Sequence, residues 1–137
     1  MKANELMIGD WVRLTDPIAE GMQVQVLAIG RFGGITFYDG ITDHIEPIPL
    51  TTEILEKNGF HKGAYLAAQC YIKEANHIVY SMLLENGDQV VTLDYCNGKN
   101  ELEVITKGRG VNFDNVRYVH ELQHALHLCG IEKDIKL

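Results

Sequence analysis

The stretch HIVYSMLLENGDQVVTLDYCNGKNELEVIT, residues 77–106, decides the fold of this chain. Asn86-Gly87 and Asn97-Gly98 are both two-residue hairpin signals, because a type I′ turn needs positive φ at both central positions. Together they set a register that tests itself. A turn at Asn86-Gly87 places Met82 opposite Val91, Tyr80 opposite Leu93 and Ile78 opposite Tyr95. A turn at Asn97-Gly98 places Leu93 opposite Leu102 and Val91 opposite Val104. Both turns send the apolar residues to one face, whereas a slip of one residue would turn them outward. The other face carries Ser81, Thr92, Asp94, Glu101 and Glu103, with Val79, Leu83, Val90 and Ile105 at its margin. The pattern predicts a three-stranded antiparallel meander.

Working outward, LTTEILEKNGF predicts a helix over 51–58. Thr51 can cap it, Glu53 sits in the first turn where the helix dipole favours an acid, and Lys57 lies in the last. Gly59 suits the left-handed position that ends a helix, with Phe60 reaching back to Leu55. The segment YLAAQCYIKEA between this helix and the meander reads as an added strand or a short helix. Downstream, Val119, Leu122, Leu126 and Cys129 recur at helical spacing over 115–129, with Tyr118 and Ala125 beside them. Asp114 or Asn115 would cap this helix and Gly130 would stop it. Its apolar stripe is expected to pack on the meander.

The chain divides near Pro47 and Pro49, giving a small all-β part over 1–49 and an α+β part over 50–137. In the first part WVRLT, MQVQVLAIG, GITFYDG and DHIEP read as short strands between Gly- and Asp-bearing turns. Val24, Val26 and Ala28 alternate with Gln23, Gln25 and Leu27, which fits a half-buried strand. Gly9-Asp10 before Trp11-Val12 looks like the opening turn of a small SH3-like barrel, and a small bent β-sheet accounts for the same residues. The fold class is therefore α+β: an N-terminal β-sheet or SH3-like barrel, a helix, the meander and a C-terminal helix.

The chain has 137 residues, 46% hydrophobic and 23% charged, with a formal charge of −7. These are globular proportions. No apolar run approaches the ~20 residues of a membrane span. The opening MKANELMIGDWV carries acids where a secretory signal needs a basic and then an apolar stretch, so a cytoplasmic protein without a membrane contact is expected. Cys70, Cys96 and Cys129 form no C-x-x-C and read as reduced thiols. Residues 1–49 hold three Lys/Arg against seven Asp/Glu and residues 50–137 hold nine against twelve, giving −4 and −3. Neither half has the basic stripe that coats nucleic acid.

One motif looks like chemistry. His120-Glu121-Leu122-Gln123-His124 matches H-E-x-x-H, in which two His one turn apart bind Zn²⁺ and the Glu polarises the bound water. His127 adds a third imidazole. A metal site, if present, would use His120, His124 and His127, with Glu121 as base. Three observations weigh against it. At about 100° per residue, His124 and His127 fall within about 40° of His120, while Leu122, Leu126 and Cys129 fall near 180–240°. The histidines thus lie opposite the core stripe, on an expected solvated or partner-facing side. Thirteen residues follow His124, fewer than the further helix that supplies a zincin's third ligand would need. A five-residue pattern with two free positions also arises by chance. Neither a metal nor a cofactor is expected.

The remaining constellations are weaker. Ser81, the single serine, sits mid-strand without a G-x-S-x-G elbow. Cys129 lies on the core stripe, and Cys70 and Cys96 have no identifiable base. Lys107-Gly108-Arg109-Gly110 reads as a connecting loop before the last helix, with anion binding the less common use of such a loop. Trp11, Phe32, Phe37 and Tyr38 serve as core or as an aromatic binding surface. No residue qualifies as catalytic.

MKANELMIGDWV, IEPIPLTTEILEKNGF and VRYVHELQHALHLCGI together resemble small uncharacterised proteins encoded by phages and mobile elements of gut anaerobic bacteria. Their last helix reads like Y-V-H-x-L-Q, matched here by Tyr118, Val119, His120, Leu122 and Gln123. Gln is common in that group where Glu121 stands and Asn where His124 stands, which makes H-E-x-x-H a local coincidence. The resemblance implies a cytoplasmic accessory factor and carries no mechanism. The expected function is a non-enzymatic binding module acting on another protein. The alternatives are a zinc-dependent hydrolase, and a nucleic-acid-binding module using Arg13, Arg31, Lys107 and Arg109. The meander's edge strands can also pair with a second copy in a homo-oligomer.

Overall fold

The computed structural model describes residues 1, 5–31, 33–62, 77–84, 89–96, 99–107 and 109–137. It is α+β, with three antiparallel sheets and a C-terminal helix. The chain forms two compact units, one of residues 1–49 with 118–124, the other of 50–117 with 125–137.

The first unit holds six short strands: β1 (Trp11–Leu14), β2 (Gln23–Gln25), β3 (Ala28–Ile29), β4 (Ile35–Phe37), β5 (Gly40–Thr42) and β6 (Ile45–Pro47). They form two open three-stranded sheets, ordered β2-β1-β6 and β3-β4-β5. MQVQVLAIG, expected as one strand, is split between them. The Val26 N–H donates to Asp10 O at 2.9 Å, and the Leu27 N–H donates to Thr36 O at 2.8 Å. The alternation therefore breaks after Val26, and Ala28, expected inside, is exposed. Leu6, Val12, Leu14, Val24, Val26, Ile35 and Ile45 form this unit's core.

The second unit opens with α1 (Thr52–Lys57). Its local signals are all met: Thr51 Oγ1 accepts the Ile54 N–H at 3.3 Å, Glu53 and Lys57 lie in the first and last turns, and Gly59 takes φ +89°. The Phe60 N–H returns to Leu55 O at 3.0 Å, and both side chains are buried. Asn58 joins the helix end to the C-terminal tail, its Nδ2 donating to Lys136 O and its Oδ1 accepting the Lys136 N–H, both at 2.7 Å.

A five-stranded antiparallel sheet follows, in the order β11-β10-β9-β8-β7: β7 (His61–Lys62), β8 (His77–Leu83), β9 (Gln89–Cys96), β10 (Lys99–Thr106) and β11 (Arg109–Phe113). Its central strands carry the expected register. Met82 pairs with Val91, Tyr80 with Leu93 and Ile78 with Tyr95, while Leu93 pairs with Leu102 and Val91 with Val104. Tyr80, Met82, Val91, Leu93, Leu102 and Val104 are all buried. The turns at Asn86-Gly87 and Asn97-Gly98 and the YLAAQCYIKEA segment lie outside the described residues.

Two expectations are corrected. The meander gains β7 on one side and β11 on the other, and Arg109 and Gly110 belong to β11 rather than to a loop leading into the last helix. Lys107 takes φ +50° and Thr106 pairs with Arg109, so a hairpin leads into β11. The last helix, α2 (Val119–Leu128), also starts four residues late, capped by neither Asp114 nor Asn115. Asn115 takes φ +56°, and the next residues are held in extended form. The Val116 N–H donates to Asn100 O, Arg117 O accepts the Leu50 N–H, and Tyr118 bridges to Pro49. Backbone groups engaged in this way cannot also enter a helical ladder. Val119, Leu122, Ala125 and Leu126 are buried as their spacing demands, with Cys129 half-buried. The stripe is divided, however: α2 through His124 belongs to the first unit, and from Ala125 onward to the second. No helix among the described residues is long and apolar enough to cross a membrane.

Candidate functional site

A cluster of polar side chains lies in the first unit, where Gly9-Asp10-Trp11 meets the start of α2. Gly9 takes φ +94°, a conformation glycine adopts without a Cβ penalty. The chain can then turn into β1, with the Gly9 N–H donating to Val26 O at 2.7 Å and the Asp10 N–H to Met7 O at 3.1 Å. This turn points the Asp10 carboxyl inward. It is only 2% exposed, and its Oδ2 accepts the Met7 N–H at 2.8 Å.

Gln123 and His124 meet this turn. Gln123 acts as a backbone mimic, its Oε1 accepting the Trp11 N–H and its Nε2 donating to Gly9 O, both at 3.0 Å. His124 Nε2 lies 2.6 Å from Asp10 Oδ2. A carboxylate offers only lone pairs, so the proton of that bond sits on Nε2. One turn earlier, His120 is 6% exposed. Its ring stacks on Tyr118 at 5.9 Å between centroids and meets His124 edge-on at 5.5 Å. Its Nδ1 is buried without a hydrogen-bond partner among the described residues.

This corrects the expected solvated face. Both histidines lie opposite the stripe as the helical wheel has them, yet His120 is buried and His124 half-buried, because the turn at residues 9–11 covers that face as well. His127 is exposed. Among the described residues no three His, Cys, Asp or Glu side chains stand where they could jointly hold a metal ion. His124 Nε2, the nitrogen a zincin would use, is engaged with Asp10.

The other candidates are scattered. Arg13 Nε is ion-paired with Glu46 Oε1, and Arg31 is exposed. Lys107 and Arg109 are exposed in the second unit. Ser81 is 2% exposed in β8, and burial pushes the Cys129 thiol above its usual pKa. The residues of the first unit include neither serine nor cysteine. Of the four aromatic residues, Trp11 and Phe37 are half-buried, Tyr38 is 91% exposed, and Phe32 lies outside the described residues. Asp10 and Gln123, the residues that organise the site, carried no chemical signal in the sequence. Both lie within the segments that carry the resemblance.

What the site does chemically is hold a neutral imidazole. Burial lowers the His120 pKa below its ordinary 6.5, with Asp10, Glu121 and Glu5 pulling it back up and His124 adding to the lowering. A depressed histidine leaves the unfolded chain binding the extra proton, so its contribution to stability is complete above pH 6.5 and is lost as pH falls below it. The unfolding midpoint of the first unit, followed by fluorescence of Trp11, the only tryptophan, is expected to drop on acidification below that value. In His120→Phe, which keeps the stack on Tyr118, the drop is expected to shrink. An equal slope in both proteins would remove His120 as its source. Comparison of the chain with family models, curated proteins and solved structures finds no match in any of the three.

Proposed function

We propose that this protein is a non-enzymatic binding module that engages another protein through its N-terminal unit, as a cytoplasmic accessory factor of a phage or mobile element. The observation that carries this reading is the outer row of the β3-β4-β5 sheet. Ala28, Thr36 and Ile41 are paired across the three strands and so share one face. Ala28 is exposed and Ile41 is 77% exposed, and Leu27 and Tyr38, which flank these strands in sequence, are 51% and 91% exposed. Large apolar side chains open to water and gathered in one small sheet and its flanks mark contact surfaces. The Asp10–His124–Gln123 cluster fits the same reading as the structural support of this unit. A nucleic-acid role has less support, because Arg13 is held by Glu46 and the net charge is −7.

The test compares wild type with a Tyr38→Ser/Ile41→Ser double variant in tagged capture from a lysate of a gut anaerobe, over a salt series. Both positions are exposed, so the thermal midpoint is expected to stay unchanged. Wild type is expected to retain a defined partner protein and the variant to lose it. Equal recovery by both proteins, or no partner for wild type at low salt, would overturn the reading. One equivalent of zinc surviving dialysis of untagged protein would overturn its non-enzymatic part.

A further inference from the structure

Among the described residues the five-stranded sheet has β7 and β11 as its outer strands. β11 is five residues long, pairs among the described residues with β10 alone, and is exposed from Arg109 to Asn112. Between Gly110 and Phe113 it carries neither a charge nor a proline, so nothing in its interior discourages another strand. Val111 pairs with buried Val104, which pairs with buried Val91, opposite buried Met82. Val111 continues this apolar row to the edge and is 52% exposed there.

We infer that β11 pairs antiparallel with β11 of a second copy about a two-fold axis at Val111, joining two five-stranded sheets into one. This inference does not depend on the proposed function, which concerns the other unit. The backbone geometry permits it. Thr106 and Arg109 pair across a two-residue connection, which makes them a hydrogen-bonded pair and turns the backbone groups of Arg109, Val111 and Phe113 toward β10. The groups of Gly110 and Asn112 then point outward. With Val111 on the axis, Gly110 of each copy faces Asn112 of the other, so the outward groups meet each other. The two Val111 side chains meet at the closely spaced, non-hydrogen-bonded position.

The charges select this orientation. Lys107 and Arg109 stand at one end of the strand and Asp114 just past the other, all exposed. Antiparallel pairing sets the basic end of each strand beside Asp114 of its partner, twice, and Arg109 opposite Phe113. Parallel pairing would align like ends. A single strand pair is a small interface, so the dimer is concentration-dependent.

Sedimentation velocity on the full chain, at about 0.15 M salt where the screening length is near 8 Å, tests this. The average mass of wild type is expected to rise from one chain toward two with concentration. Val111→Lys, which sets two like charges on the axis, is expected to stay monomeric throughout. Arg109→Asp and Asp114→Arg are each expected to weaken association about tenfold, and the double charge swap to restore it. In wild-type protein, amide exchange at Gly110 and Asn112 is expected to slow with concentration. A wild type that stays monomeric, including one whose edge serves an extended peptide of another protein instead, would overturn the inference. So would a dimer indifferent to Val111→Lys, or protection that grows elsewhere.

Discussion

Asp10→Ala is expected to cost the first unit about 2–3 kcal/mol, the range for removing a buried charged acceptor from the donors it serves. Asp10 is 2% exposed, and one of its oxygens accepts both the Met7 N–H and His124 Nε2. Alanine leaves both donors without that acceptor. It also takes away the carboxylate that faces the His120–His124 pair. Asp10→Asn keeps an amide oxygen for one of the two donors, so its loss is expected to be about half as large. Trp11 is the only tryptophan and its backbone is bonded to Gln123 within the same cluster, so its fluorescence reads this unit directly. Urea titration followed by that signal is the measurement. A midpoint for Asp10→Ala equal to wild type would mean that the Asp10–His124 contact does not hold the turn.

Leu93→Ala carries the second large effect, about 2–5 kcal/mol. Leu93 is fully buried on β9, the central strand, opposite Tyr80 and Leu102. Truncation there loses transfer energy and leaves a cavity that a strand held on both sides by ladders closes poorly. Glu101→Ala is the contrast. Glu101 is exposed and pairs with Asp94 on the opposite face of the same sheet, and its loss is expected to stay within about 0.5 kcal/mol. Thermal unfolding followed by far-ultraviolet circular dichroism compares the two. Similar effects at both positions would contradict the assignment of faces.

The β8-β9-β10 register was legible because side-chain direction alternates strictly along a strand, and only one register buries Tyr80, Met82, Val91, Leu93, Leu102 and Val104 together. α1 was legible because its cap, its charged turns and its terminating glycine all lie within ten residues. β11 was missed because an exposed edge strand has no buried face to impose alternation, and its turn carries Lys107 where Asn or Asp is the usual signal.

The candidate site was half visible. His120, Glu121 and His124 stood out as a motif, and the motif suggested a metal, or in its absence a solvated face. Neither reading anticipated Asp10, which looked like an ordinary turn residue.

The sequence by itself determined the α+β class, the paired strands at the centre of the sheet and the first helix, since each follows from turn chemistry and periodicity among near neighbours. Only the tertiary structure decided the fate of the last helix. Its start is delayed by extended pairing with residues 48–50, and its histidine face is covered by a turn bonded to it across 112 to 114 residues of chain. A helical wheel shows which side chains share a face and says nothing about how many faces will be covered. For His120 that missing information is the difference between a solvated imidazole and a buried, neutral one.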